Sequence, residues 1–325
     1  MTVMEWERVV MPRPMVTELE PGLFMIDHHF QETPGLIASY LLAGSDDLTL
    51  IETGTTPTLE TLLEGVRAVG FDPERITQLV VTHIHLDHAG SAGVLLQRLP
   101  QARLFVHRVG APHLIDPSKL LKSAARIYGD DMDRLWGEVL PAPAERVVIL
   151  DDGDTIRAGN RALQALDSPG HASHEMAFYD PMSGVLFTGD IAGVRLGNAP
   201  YVRPPTPPPE FDPERWQASL ARLRSLRPRR LYLTHFGAYD EPEWHFDDLL
   251  GRMADWTDWS EARLVEGADT TLVAADLATW ADDELADRTG RTDLALPFEL
   301  ISNYQMSVDG LARYFRKRRQ AELGR

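Results

Sequence analysis

No cysteine occurs in the 325 residues, which removes disulfides, thiolate metal ligands and thiol nucleophiles from every reading of the chain. Any metal must be held by histidine and carboxylate. Long apolar runs are missing as well, and nothing approaches the roughly 18 uninterrupted apolar residues of a membrane span. The opening stretch, MTVMEWERVVMPRPMVTELE, mixes Glu and Arg into its apolar residues and lacks the basic start, apolar block and small-residue cleavage site of a leader. No export signal is expected, and a soluble, cytoplasmic protein is. Positive charge is scarce, with 32 Lys and Arg against 49 Asp and Glu and a net charge of −17. Such a surface repels phosphate backbones and anionic membranes. The expected partner is therefore a small-molecule substrate, not nucleic acid or a membrane.

Apolar residues are plentiful at 43%, enough for one large α/β domain or one with an appendage. From residue 22 to about 51, GLFMIDHHF, GLIASYLLAG and LTLIETG are short β-rich runs separated by turn formers. TPTLETLLEGVRAVG then places Leu59, Leu62, Leu63, Val66 and Val69 on one helical face, with Gly70 as a stop. RITQLVV reads as a buried strand, SAGVLLQRLP as a helix, ARLFVH as a strand, and residues 111 to 137 as helical pieces. Strands follow near 146–150, 161–166, 175–180 and 184–188, then a helix over Pro213 to Leu226 and the strand RLYLTH. Strands followed by helices, twice over, predict two mixed sheets packed face to face with helices outside. PYVRPPTPPP, residues 200–209, cannot enter a sheet interior and is expected as a stiff surface loop. Past 240 the β-signal disappears and the spacing of Trp244, Leu249, Met253, Trp256, Trp259 and Leu264 predicts a long helix. Two more helices are expected near 274–288 and 307–321. The chain is thus divided into an α/β domain, 1–240, and a helical C-terminal appendage, 241–325, whose outer face is a candidate homodimer surface.

The chemistry is concentrated in VVTHIHLDHAG, residues 80–90. His83 and His85 are two apart, which in extended chain sets both imidazoles on one side. Asp87 and His88 follow where the strand has ended and a helix opens. A strand end supplying one pair and the next turn another suits two adjacent metal ions, while a single ion taking two or three of these groups is also allowed. His171 in LDSPGHASH, Asp190 in VLFTGD and His235 in LYLTHFG each follow a strand and sit beside a small residue or turn. That is the pattern of a site built along one rim of a sheet.

The motifs T-H-x-H-x-D-H, S-P-G-H, F-T-G-D and L-T-H, in this order across residues 22–240, resemble the metallo-β-lactamase-fold superfamily of metallohydrolases. The resemblance implies an αββα sandwich with two metals at one edge of its sheets. Carried over by position, His83, His85 and His171 bind one metal, Asp87, His88 and His235 the other, and Asp190 bridges them. Glu52, in IETG, stands where relatives usually carry Asp as an outer partner of a ligand histidine, which bears only on that outer geometry. Two divalent cations so placed can hold a bridging water whose pKa falls to about 7, supplying hydroxide at neutral pH. Asp87, a ligand and also a proton acceptor, is the candidate shuttle to the leaving group. Zinc is the expected metal, with iron or manganese as alternatives.

A bridging Asp190 is unlike true β-lactamases and similar to the glyoxalase II, lactonase and phosphodiesterase branches. The expected reaction is hydrolysis of a small ester, thioester or lactone. The alternatives are a mononuclear iron persulfide dioxygenase, a phosphodiesterase, and a non-catalytic binding protein that has kept the fold. Around the site, His174 is a candidate substrate contact. Arg195 and Tyr201 open the loop after Asp190 and are candidate pocket walls. His28 and His29 read as plain loop surface, and His107, His113 and His245 as structural.

Overall fold

The computed structural model describes residues 16–45 and 47–323; the stretch read above for an export signal lies mostly outside them. Seven strands form the first sheet, in the spatial order of the chain: β1 Val16–Glu20, β2 Leu23–Asp27, β3 Ala38–Ala43, β4 Leu48–Ile51, β5 Ile76–Val80, β6 Arg103–His107 and β7 Val147–Leu150. The first four pair antiparallel, and β4 to β7 pair parallel. The second sheet holds β8 Thr155–Ala158, β9 Arg161–Asp167, β10 Met176–Asp180, β11 Val185–Gly189, β12 Arg230–Leu233 and β13 Gly237–Tyr239, antiparallel except for β11 beside β12.

Alternation within each strand sends one set of side chains between the sheets and the other outward. Tyr40, Ile51 and Val80 from the first sheet meet Phe178, Phe187 and Tyr232 from the second in one buried cluster. The rings of Phe187 and Tyr232 both lie 5.3 Å from that of Tyr40. Outside the first sheet, Leu62, Leu63 and Val66 of helix Leu59–Ala68 pack with Leu95 of helix Ala92–Arg98 onto Leu41, Leu50 and Leu79. Each such side chain contributes about 1.5–3 kcal/mol by leaving water. Outside the second sheet lies helix Pro213–Ser225, begun by Asp212, whose side chain accepts from Arg215 N, with proline at the first position. Helix, sheet, sheet, helix is the expected αββα sandwich.

Beyond residue 240 come helices Pro242–Glu261, Thr270–Thr289, Ala295–Ile301 and Tyr304–Leu323. Trp256, Leu277, Leu311 and Phe315 from them join Trp216, Leu186 and Leu231 in a single apolar cluster on the second sheet. The tryptophan spacing read in the sequence thus belongs to a core. The short helix Ala295–Ile301 went unforeseen, as did β1, β8 and β13. β1 is a polar edge strand, while β8 and β13 have only four and three residues, too short for a period of two to register.

One expectation is overturned. The proline-rich stretch stays out of the sheets apart from the single bridge Val194–Arg203, yet Tyr201 through Pro207 are buried rather than exposed. Proline brings no N–H that needs a partner, so this segment can pass under the C-terminal helices at little polar cost.

At the end of the sandwich near β1, Arg161 joins Glu20 at 2.8 Å and Asp180 at 3.0 Å. Burial pushes both carboxyls up, and hydrogen bonds and charge outweigh it: Arg161 and Arg229 for Glu20, Ser183, the Met182 N–H and Arg161 for Asp180. Both therefore sit below the usual carboxylate range. Their stabilisation is fully present above the unfolded-state values, near 4, and is lost as pH falls through the folded ones. Arg161→Met is expected to cost about 1.5–3 kcal/mol at pH 7. Its urea midpoint should also fall less steeply than that of the parent between pH 5 and 3.

Candidate metal centre

The groups singled out in the sequence come from the ends of four strands that share one rim. β5 stops at Val80, so His83 and His85 lie in the following bend and not in extended chain, and helix Leu86–Ala89 carries Asp87 and His88. His171 follows β9, Asp190 follows β11 directly, and His235 follows β12. Gly189 turns with φ +56°, and a Cβ there would lie 2.5 Å from Thr82 Oγ1. Only glycine lets the strand carrying Asp190 approach the histidine loop this closely. The structure brings all seven side chains together. Within each of the trios His83/His85/His171, His83/His88/Asp190 and Asp87/His88/His235, the nearest ligand atoms lie within 4.8 Å of one another.

The orientation of the rings is fixed from outside. His171 Nδ1 lies 2.9 Å from the Pro205 carbonyl and His235 Nδ1 lies 2.8 Å from that of Leu36. A carbonyl only accepts, so both Nδ1 atoms carry the proton and both Nε2 atoms present a lone pair inward. His88 Nδ1 donates to Glu52 Oε1 at 2.9 Å. Thr82 Oγ1 gives its own proton to Glu52 and is left to accept from His83 Nδ1, 3.1 Å away. His85 is turned the other way, its Nδ1 inward.

Glu52 is the hub of this outer layer. Its Oε1 accepts from the Thr82 hydroxyl at 2.5 Å, from His88 Nδ1 and from the Thr234 hydroxyl at 3.1 Å, and its Oε2 accepts from Thr82 N at 3.2 Å. The carboxylate is fully buried. The repeated Thr-His pairs, Thr82-His83 and Thr234-His235, were the unread signal for it, since both threonines serve the same acid.

The donor set fits a cation. His85 Nδ1 is 2.9 Å from both His83 Nε2 and His171 Nε2. Burial, then neighbouring imidazoles, drives His83 well below the ordinary range and takes His85 to about 3. His171 is also lowered, burial outweighing the pull of Asp190 and of the Pro205 carbonyl. His85 Nδ1 thus sits between the inward-facing Nε2 atoms of His83 and His171, and the three ring nitrogens form a cluster that a cation can gather. On the other side, burial disfavours charge on His88 and His235, and the carboxylates of Asp190, Glu52 and Asp87 around His88, and of Asp190 and Asp87 around His235, reverse it, raising both. Asp87 is pulled down to about 2 by His88 and His235 despite burial. Asp190 Oδ1, 3.2 Å from His88 Nε2 and 3.4 Å from His235 Nε2, is buried with no hydrogen-bond partner. A cation held among them would satisfy these atoms.

His85, Asp87, His171 and Asp190 form the floor of a cavity of about 300 Å³. Its walls are largely apolar, among them Phe30, Leu86, Ile127, Trp136, Ile301 and Met306. The last two show that the helical C-terminal region closes one side. His174 also lines it, with Nε2 3.6 Å from Glu210 Oε2, as does His113. Arg195 and Tyr201 do not. Arg195 bonds the Ala199 carbonyl and lies over the rings of Tyr239 and Trp244, and Tyr201 is buried under the Arg252 guanidinium, 3.6 Å from its ring. They are packing residues, because the segment after Asp190 turns away from the rim to meet the C-terminal helices. His28 is no surface residue either: it is fully buried, bonded to Thr58 Oγ1 at 2.8 Å and Ser39 Oγ at 2.7 Å, and burial takes it to about 3. No helix among the described residues is long and apolar enough to cross a membrane.

Residues 33–235 match the family model of the metallo-β-lactamase superfamily. The metallo-β-lactamase fold-containing protein ST1585 of Sulfurisphaera tokodaii is 26% identical over 236 residues, 71% of this chain and 85% of that protein. The human acyl-coenzyme A thioesterase MBLAC2 is 29% identical over 213 residues, 57% of this chain and 69% of that one. The crystal structure of the metallo-β-lactamase family protein TTHA1429 from Thermus thermophilus superposes with a TM-score of 0.69 at 22% identity, covering 93% of this chain and 95% of that one. It shares the fold, C-terminal region included.

Glu52→Gln isolates the hub. The amide oxygen can keep the Oε1 bonds, but the NH2 then faces the Thr82 N–H donor to donor. Expected is a loss of about 1–3 kcal/mol in the unfolding free energy of metal-free protein, read from urea denaturation. Zinc affinity measured by chelator competition should drop by about 10–100-fold.

Proposed function

The chain belongs to the metallo-β-lactamase superfamily, and from that premise we propose that it is a metal-dependent hydrolase cleaving the ester, thioester or lactone bond of a small, largely apolar acyl compound. The observation that carries this reading is the placement of the seven-residue donor set at the base of an apolar cavity, with His85, Asp87, His171 and Asp190 as its floor. An apolar wall takes the acyl group and the polar floor takes the bond to be broken. The likeness to an acyl-coenzyme A thioesterase supports the same bond type.

His83, His85 and His171 would hold one cation, Asp87, His88 and His235 a second, with Asp190 between them; zinc suits a donor set of imidazole nitrogens and carboxylate oxygens. When bound, divalent cations in such a site make water more acidic and polarise a carbonyl. The chain's own groups do the rest. Glu52, Leu36 and Pro205 keep the rings facing inward through their outer nitrogens. Leu86, Trp136 and Phe30 exclude bulk water from the approach. Asp87 is partly open to the cavity, so its carboxylate can take a proton from the attacking water and return it to the departing alkoxide or thiolate as the acyl C–O or C–S bond breaks.

Purified protein loaded with zinc is expected to bind two ions per chain and to hydrolyse members of a panel of acyl thioesters, esters and lactones. Activity should vanish with a chelator and return with zinc. Asp87→Asn, with metal content matched to the parent, should lower kcat by about 10²–10⁴. One iron per chain together with oxygen uptake on a persulfide would replace the hydrolase by a dioxygenase.

A further inference from the structure

The proline segment lines the cavity from Pro205 to Pro209 and meets the donor set through the Pro205 carbonyl. The Pro205 carbonyl accepts His171 Nδ1–H at 2.9 Å, and this bond sets the tautomer that leaves His171 Nε2 free to face His85 and Asp190. Prolines 204, 205, 207, 208 and 209 offer no N–H, so the segment cannot be held by a backbone ladder of its own. Carbonyls and the Thr206 side chain are its handles.

Helix Tyr304–Leu323 takes hold of them. Thr206 Oγ1 donates to the Ser307 carbonyl at 3.1 Å. Arg313 Nε and Lys317 Nζ both donate to the Pro209 carbonyl at 3.1 Å. Between these points the helix lies directly on the segment at Gly310, where a Cβ would sit 1.9 Å from the Thr206 carbonyl oxygen and 2.9 Å from Pro207 C. Ser307, Gly310, Arg313 and Lys317 recur at the three- and four-residue spacing of one helical face. Upstream, Arg203 donates to the Ser302 carbonyl at 3.4 Å and to the Tyr304 hydroxyl, and Val202 N to Asp248 Oδ2 at 2.8 Å. The Pro205 carbonyl is thus located from both sides by residues more than 40 positions away in the chain.

We propose that this C-terminal helix is a positioning element for the candidate metal centre, fixing the His171 imidazole through the Thr206–Gly310 contact and the Pro205 carbonyl. The proposal rests on the reading of His171 as a ligand. Gly310 lies outside the cavity and acts through Pro205 and His171, and Thr206, which also lines the cavity, holds the Pro205 carbonyl in place through its bond to Ser307. A helix braced in this way sets how tightly the His83, His85 and His171 trio holds a cation, because the brace removes the ring rotation and tautomer exchange that binding would otherwise have to stop.

The test compares Gly310→Ala, Thr206→Val and Thr206→Ser with Gly251→Ala, whose Cβ in helix Pro242–Glu261 meets no atom within 4 Å. Two quantities are read on full-length protein. One is the 15N shift pattern of the His171 ring in metal-free protein, identified by its loss in His171→Gln, which reports whether Nδ1 carries the proton. The other is zinc affinity by chelator competition. Gly310→Ala is expected to replace the fixed Nδ1–H form by an exchanging mixture and to weaken zinc binding by about 10–100-fold, the usual cost of losing an outer partner of a ligand histidine. Thr206→Val should move both in the same direction by less, Thr206→Ser should restore them, and Gly251→Ala should match the parent. If Gly310→Ala does not fold, the Thr206 pair decides alone. A parent-like tautomer and affinity in Gly310→Ala or Thr206→Val overturns the proposal, as does an equal loss in Gly251→Ala. Failure of the parent itself to take up zinc would sink the ligand reading, and the tautomer comparison would still settle whether the helix braces the ring.

Discussion

The rim depends on the outer nitrogens of His83, His88, His171 and His235 being taken by the protein. A histidine has two nitrogens and, when neutral, one proton; once Glu52, Thr82, Leu36 and Pro205 claim that proton's side, the other lone pair has nowhere to point but inward. The four acceptors lie in different parts of the chain and each is buried, so none of these four rings can rotate without leaving a donor unpaired at a cost of about 1–3 kcal/mol. A set of inward-facing ring nitrogens is thereby built into the fold, and burial, which lowers His83, His85 and His171, keeps it open to a cation.

Much of this was legible in the sequence because strand ends leave marks. A run of β-formers followed by His or Asp and a small residue recurs at His83, His171, Asp190 and His235, and the sandwich follows from the same alternation. What could not be read was anything decided by contact between distant segments. His28 in HHF looks like a loop pair, and nothing local says that Ser39 and Thr58 will close over it. Arg195 and Tyr201 follow Asp190 immediately, yet direction after a turn is a tertiary fact, and the chain leaves the rim there. The prolines carried a correct message about exclusion from sheets and a wrong one about exposure, because the helices that cover them lie a hundred residues on.

Glu52 shows the two kinds of information together. Its place in IETG marks an acid at a strand end, while its longer side chain compared with Asp only makes sense beside the geometry: the backbone turns with φ +64° and the extra methylene reaches both Thr82 and Thr234. The helical region follows the same logic on a larger scale. Its tryptophans announce a core, and the structure adds that this core is the outer face of the second sheet and that Ile301 and Met306 belong to the cavity.

The donor atoms come from both sheets and from positions as far apart as His83 and His235. No local hairpin or single helix gathers even one complete trio together with its outer acceptors. An unfolded or half-built chain therefore offers an ion only scattered, competing imidazoles, and tight capture waits until the two sheets have docked. Cation uptake would in this sense be a report on completed assembly.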